Sequence, residues 1–234
     1  SQEFIDTFHS LILSNFNECG VYINWVYDSR GSSISTPLRT DLMPRDSMYP
    51  FLKGETCQQY YDRFLKSAAS ILLLLGPPGT GKTSFIRGLL QHANTSAMVS
   101  YDEKILQSDS VFAEFIESDE SSIMVVEDSD TFLTSRSDGN NIMAKFLNVG
   151  DGLVSNRDKK IIFTTNLPSV RDVDDALLRP GRMFDVLTFG TLTPEQALIV
   201  AQDFGIELTV KQDKYTIAEI FNQPITATVK TSFG

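Results

Sequence analysis

Residues 76–83 read Gly76-Pro77-Pro78-Gly79-Thr80-Gly81-Lys82-Thr83 and follow directly on the apolar run Ile71-Leu72-Leu73-Leu74-Leu75. Glycines at these positions let backbone N–H groups wrap phosphate oxygens with no Cβ in the way. The lysine neutralises β/γ-phosphates, and the hydroxyl of Thr83 is suited to ligating Mg²⁺. Past the loop, Phe85, Ile86, Leu89 and Leu90 recur at helical spacing, so the phosphates would rest on a helix N-terminus. A buried strand running through a glycine loop into a helix is the context this motif requires. The expected nucleotide-binding set is Gly76, Pro77, Pro78, Gly79, Thr80, Gly81, Lys82, Thr83 and Ser84, with Thr83 on the metal.

Three further groupings could complete phosphate chemistry. Ile123-Met124-Val125-Val126 is an apolar run that delivers Glu127 and Asp128 to its end. Phosphoryl transfer needs one acid to support the Mg²⁺ water shell and another to orient or deprotonate the attacking water, and two unpaired acids ending a buried strand are hard to explain otherwise. The run Ile161-Ile162-Phe163-Thr164-Thr165 ends in Asn166, a polar amide able to bond the water or the γ-phosphate. Finally, Arg179-Pro180-Gly181-Arg182 sets two planar, multi-donor cations across a turn, suited to phosphate.

The elements that must position these residues are legible as an alternation. Short apolar strands at 71–75, 97–101, 123–126, 161–164 and 186–189 are separated by helical stretches, including 111–117 and 142–147. That pattern predicts an α/β fold with a five-stranded parallel sheet covered on both faces. Upstream, Phe4, Ile5, Phe8, Leu11, Ile12 and Phe16 predict an amphipathic helix over 1–17. Residues 21–27 and 34–40 predict a β-hairpin carrying Trp25, the only tryptophan, which either packs the hairpin or anchors a partner. A helix is expected over 55–67, with Tyr60, Tyr61, Phe64 and Leu65 on its apolar face. Capping boxes at Thr193–Gln196 and Thr216–Glu219 predict two C-terminal helices, the first ending at Gly205 and the second before Pro224. The expected organisation is an extension over 1–45, a core over 46–191 and a small helical lid over 192–234.

The chain has 234 residues, 20 basic and 30 acidic, for a net charge of −10. Without a Lys/Arg-rich run, that balance argues against duplex DNA as a partner, because phosphate neutralisation supplies most non-specific affinity. No apolar stretch reaches the ~20 residues of a membrane span. Cys19 and Cys57 fit neither a zinc site nor a disulfide framework. A soluble, cytoplasmic protein with no membrane association is the expectation.

Taken in this order, the four groupings resemble the AAA family of ATPases over roughly residues 50–222. The resemblance implies ATP and Mg²⁺ as ligands, Gly76 to Thr83 as Walker A, Glu127-Asp128 as Walker B and Asn166 as sensor 1, and the expected metal set is Thr83, Glu127 and Asp128, partly through water. It also implies Arg179 and Arg182 as arginine fingers reaching a neighbouring subunit's nucleotide. A homo-oligomeric ring, hexameric or heptameric, follows, acting on a protein client. The acid order Glu-Asp, where most of the family has Asp-Glu, is similar to the branch containing the mitochondrial Rieske-protein translocase, as are Ser122-Ile123 through Asp130, Phe146-Leu147-Asn148 with Asp151-Gly152, Thr164-Thr165-Asn166 and Ala176 through Arg182. Two features depart from the broader family. The swapped acids place the shorter Asp128 at the usual base position and leave the base open between it and Glu127. The stretch after 97–101 lacks the aromatic-Gly loop of threading unfoldases. Two rival readings also fit the motifs: a slowly hydrolysing, nucleotide-gated assembly scaffold, and a DNA-handling loader or motor.

Overall fold

The computed structural model describes residues 20–41, 43–118, 121–131, 133, 145–146 and 158–222. The helix expected over 1–17 and most of the one expected over 142–147 lie outside these residues. Among the described residues seven strands form one sheet: β1 (Tyr22–Val26), β2 (Ser33–Pro37), β3 (Ile71–Leu75), β4 (Ser96–Ser100), β5 (Ser121–Val126), β6 (Lys160–Thr165) and β7 (Met183–Thr188). Their order is β2-β1-β4-β5-β6-β3-β7. The five expected parallel strands are all present. The sheet is larger than expected because the hairpin joins it: β1 runs parallel to β4, pairing Ile23 with Ala97 and Trp25 with Val99, and β2 pairs antiparallel with β1 at the edge.

Alternation along each strand builds two cores. Leu72, Leu74, Val125 and Ile162 face one side of the sheet, where helices α1 (Cys57–Lys66) and α2 (Lys82–Ala93) pack through Tyr60, Phe64, Phe85 and Leu89. Ile71, Leu73, Val126 and Phe163 face the other side, packed by α3 (Glu103–Leu106) and α4 (Asp109–Glu117) through Leu106, Phe112 and Phe115. Phe85 is the hub of the first core. It is fully buried, with the rings of Tyr49, Tyr60, Tyr61 and Phe189 at 5.1, 5.6, 4.9 and 5.6 Å. That places the body of the P-loop helix in an aromatic cage.

Both lid helices start where their sequence signals place them. α5 (Pro194–Phe204) is capped by Thr193 and Gln196 and ends on Gly205 in the left-handed region, and α6 (Ile217–Phe221) is capped by Thr216 and Glu219. A bridge between Leu192 and Tyr215 ties their ends, and Phe204 meets Phe221 edge-on at 4.8 Å. The lid is fastened to the segment before α1. Arg45 lies over the Phe204 ring at 4.3 Å and pairs with Asp203 at 3.0 Å, and Ser47 Oγ donates to Asp203 Oδ2 at 2.6 Å.

Trp25 packs against Tyr101 (centroids 6.0 Å apart, 16° between planes) and remains 38% exposed. Among the described residues no helix is long and apolar enough to cross a membrane.

Candidate functional site

The chain reverses its winding at β3, whose neighbours are β6 and β7, and the P-loop leaves the carboxyl end of this strand. In open parallel sheets that crevice is where ligands bind. Gly76 is needed there by close approach, since a Cβ on it would stand 2.1 Å from the carbonyl oxygen of Phe189. Gly79 and Gly81 take positive φ values of 78° and 94°, backbone conformations that glycine adopts without strain, just before α2 begins at Lys82. Tyr49 steadies the last of these by donating its hydroxyl to Gly81 O at 3.1 Å.

Lys82 is buried and curls back over the loop. Its Nζ donates to Gly76 O, to Pro77 O at 3.1 Å and to Asn166 Oδ1 at 3.0 Å. Burial lowers its pKa, and the carboxylates of Asp128, Asp130 and Glu127 oppose that shift. A buried ammonium held on neutral oxygens inside a glycine loop at a helix start is suited to a polyphosphate.

The two acids at the end of β5 point to different partners. Glu127 Oε1 accepts from Thr83 Oγ1 at 3.3 Å, so acid and hydroxyl face one another where a divalent cation would be shared. Burial raises the Glu127 pKa and Asp128 adds to this, against Thr83, Arg87 and Lys82. Asp128 sits in the left-handed region at φ 49° and accepts from Asn166 Nδ2 at 3.2 Å. Asn166 therefore bridges Lys82 and Asp128.

These residues line a cleft of about 560 Å³ together with Pro78, Gly79, Gly81, Ser84 and Thr164. Its far wall is apolar and comes from outside the motifs: Met43, Met48, Phe204, Ile217, Ala218 and Phe221. This half, suited to a flat aromatic base, was not readable from the sequence, because it is assembled from the pre-α1 segment and both lid helices. Among the described residues no cluster of three or more His, Cys, Asp or Glu stands as a separate metal site.

The arginines lie elsewhere. Met183 pairs with Ile71, and Arg182 O accepts from Ser70 N at 3.2 Å and Ile71 N at 3.0 Å, so the 179–182 turn abuts the amino end of β3. The P-loop leaves the carboxyl end, about 16 Å away along a five-residue strand. Arg182 is half-buried and donates from Nη1 to Ala176 O at 3.2 Å, whereas Arg179 is exposed. The structure thus brings together Lys82, Thr83, Glu127, Asp128 and Asn166, and leaves Arg179 and Arg182 outside the cleft.

Comparison with known proteins agrees with this geometry. The chain is similar to the probable mitochondrial chaperone bcs1 of Schizosaccharomyces pombe, with 30% identity over 173 residues, covering 70% of this chain and 37% of that protein. It is similar to AAA-ATPase At2g46620 of Arabidopsis thaliana, at 31% over 153 residues, or 62% of this chain and 30% of that one. It is also similar to the 26S proteasome regulatory subunit 8 homolog of Schizosaccharomyces pombe, at 29% over 170 residues, or 64% and 42%. The chain thus spans well under half the length of each of these curated relatives. The family description "ATPase family associated with various cellular activities (AAA)" matches residues 72–191, from within β3 past the end of β7, and with it the whole constellation from P-loop to arginine turn. The chain belongs to the AAA family of ATPases.

Proposed function

We propose that this protein binds ATP with Mg²⁺ and hydrolyses it to ADP and phosphate in a homo-oligomeric ring, using the cycle to remodel or move a protein partner. The observation that carries the reading is the division of labour between the acids, Glu127 toward Thr83 and Asp128 toward Asn166. Glycines 76, 79 and 81 with Lys82 hold the phosphates, Thr83 and Glu127 hold the Mg²⁺, and the apolar wall of the cleft takes the base. The metal, when bound, neutralises charge on the β- and γ-oxygens. Asp128 takes the proton of the attacking water, and Asn166 orients it or the γ-phosphate. This reading favours Asp128 over Glu127 as the base.

A transition state that spreads negative charge over the γ-phosphoryl group calls for a further cation. Arg179 is exposed at the wrong end of its own sheet, so it suits a site on another copy, while Arg182 supports the turn. Protein remodelling is favoured by the acidic balance of the chain, by its relatives, one named a probable chaperone and one a proteasome regulatory subunit homolog, and by the absence of a basic run. A cytoplasmic location goes with this reading. Mg²⁺-dependent release of phosphate from ATP, lost in Lys82→Ala together with nucleotide binding, is the test. ATP-dependent assembly with negligible phosphate release would instead support the scaffold reading.

A further inference from the structure

The turn after β5 is fastened to the end of β6 by side chains. The ladder between the two strands ends at Val126 opposite Phe163. Beyond it, Asp128 N donates to Thr164 Oγ1 at 3.1 Å and Ser129 Oγ donates to Thr164 O at 2.7 Å. Asp130 finishes the fastening. Its Oδ1 accepts from Thr165 Oγ1 and from the backbone N–H of Asn166 at 2.9 Å. Thr165 is held from both sides, because its carbonyl accepts from Gly76 N at 3.1 Å and its hydroxyl accepts from Leu167 N at 3.1 Å.

A single carboxylate oxygen thus grips the backbone of the residue whose side chain spans Lys82 and Asp128. Asp130 is not among the residues lining the cleft; its carboxylate bonds Thr165 and Asn166 directly and reaches Lys82 only by its charge across space. Hydrogen bonds to a carboxylate are roughly twice as strong as neutral ones and fix geometry more tightly. In the sequence Asp130 belongs to the acid-bearing stretch after β5, with no role of its own.

We propose that Asp130 is a positioning residue for ATP hydrolysis, setting through Asn166 the placement of Asp128 and the attacking water. The inference rests on the ATPase reading above. A mere staple between β5 and β6 would affect stability alone. A positioning residue affects turnover in a folded protein, and does so only while Asn166 is present.

The experiment measures kcat and KM for Mg·ATP, and amide exchange at Asn166, in the full chain and in Asp130→Ala, Asp130→Asn, Asp130→Glu, Asn166→Ala and the Asp130→Ala/Asn166→Ala pair. Asp130→Ala should lower kcat on the order of 10²-fold, the loss expected when a reacting group is misplaced by about 1 Å, with KM nearly unchanged. Asp130→Asn should restore most of the rate, since its amide oxygen can accept both hydrogen bonds. Asp130→Glu should not, although it keeps the charge, because the oxygen moves by one methylene. It also stands in if the alanine variant fails to fold. The double variant should be no slower than Asn166→Ala alone. Losses that multiply in the double variant would overturn the proposal. So would an Asn166 amide equally protected without the Asp130 side chain, whatever the turnover. A wild-type chain that binds Mg·ATP and never hydrolyses it would defeat the ATPase reading itself, and amide exchange would still judge the grip of Asp130 on Asn166.

Discussion

The backbone N–H of Ala218 donates to the carbonyl of Gly79 at 2.9 Å, so the first turn of α6 rests directly on the P-loop. Phosphate loop and lid are thus joined by a direct backbone hydrogen bond. The lid's other fastening, at Asp203, lies at the end of α5 against Arg45 and Ser47. The cleft between the two contacts holds both the phosphate and the apolar half of the site.

The Asp203 fastening gives a pH-dependent outcome. The Ser47 hydroxyl, then Arg45, holds the Asp203 carboxyl below its ordinary value of 3.8. A group with a depressed pKa in the folded state contributes stability that is present above its unfolded value and lost as pH falls through the folded one. Asp203→Ala should therefore speed amide exchange in α5 at neutral pH, and its difference from wild type should shrink once the pH drops below 3.8. The pair is exposed, so the effect will be small and sensitive to salt.

The two acids should fail differently. Asp128→Asn is expected to keep Mg·ATP bound and lose turnover, because the amide cannot take the water's proton. Glu127→Gln is expected to weaken the response to Mg²⁺, raising the metal concentration needed for half-maximal rate. A Mg²⁺ titration of ATP hydrolysis in both variants separates them. Full turnover in Asp128→Asn would move the base to Glu127.

The aromatic cage around α2 sets a stability outcome. Phe85→Ala removes the ring that Tyr49, Tyr60, Tyr61 and Phe189 surround, and should destabilise the fold by about 3–5 kcal/mol, the usual range for emptying a buried aromatic position. Urea unfolding monitored by circular dichroism reads this directly. A midpoint within error of wild type would show that the cage relaxes around the cavity.

How far the sequence revealed this molecule depends on how local each feature is. β3 and the P-loop were legible because five consecutive apolar residues meet a glycine motif, and the lid helices because Thr193 and Thr216 carry their capping partners three residues on. The annexation of the hairpin was not legible. The pairing of Ile23 with Ala97 joins segments far apart in the chain, and only the assembled sheet fixes it. β7 begins at Met183, ahead of the apolar run expected at 186–189, because Asp185 reads as a loop residue until the Tyr60 hydroxyl is seen to reach it at 3.1 Å. The same limit hid Asp130. It stands in the acid-bearing stretch after β5 with no role of its own until β6 lies beside β5 and brings Thr165 and Asn166 to it.

The central claim is that each cleft is half of a site and that another copy of the chain supplies Arg179. Mixing two inactive variants tests it most directly. Arg179→Ala keeps an intact cleft but offers no cation to its neighbour, and Asp128→Asn keeps Arg179 but cannot use its own water. Each variant alone should bind ATP and release little phosphate. Their mixture, allowed to exchange subunits, should regain ATP hydrolysis, because Asp128→Asn subunits lend Arg179 to intact clefts. A mixture as inactive as its components, or Arg179→Ala alone turning over like wild type, would contradict the account.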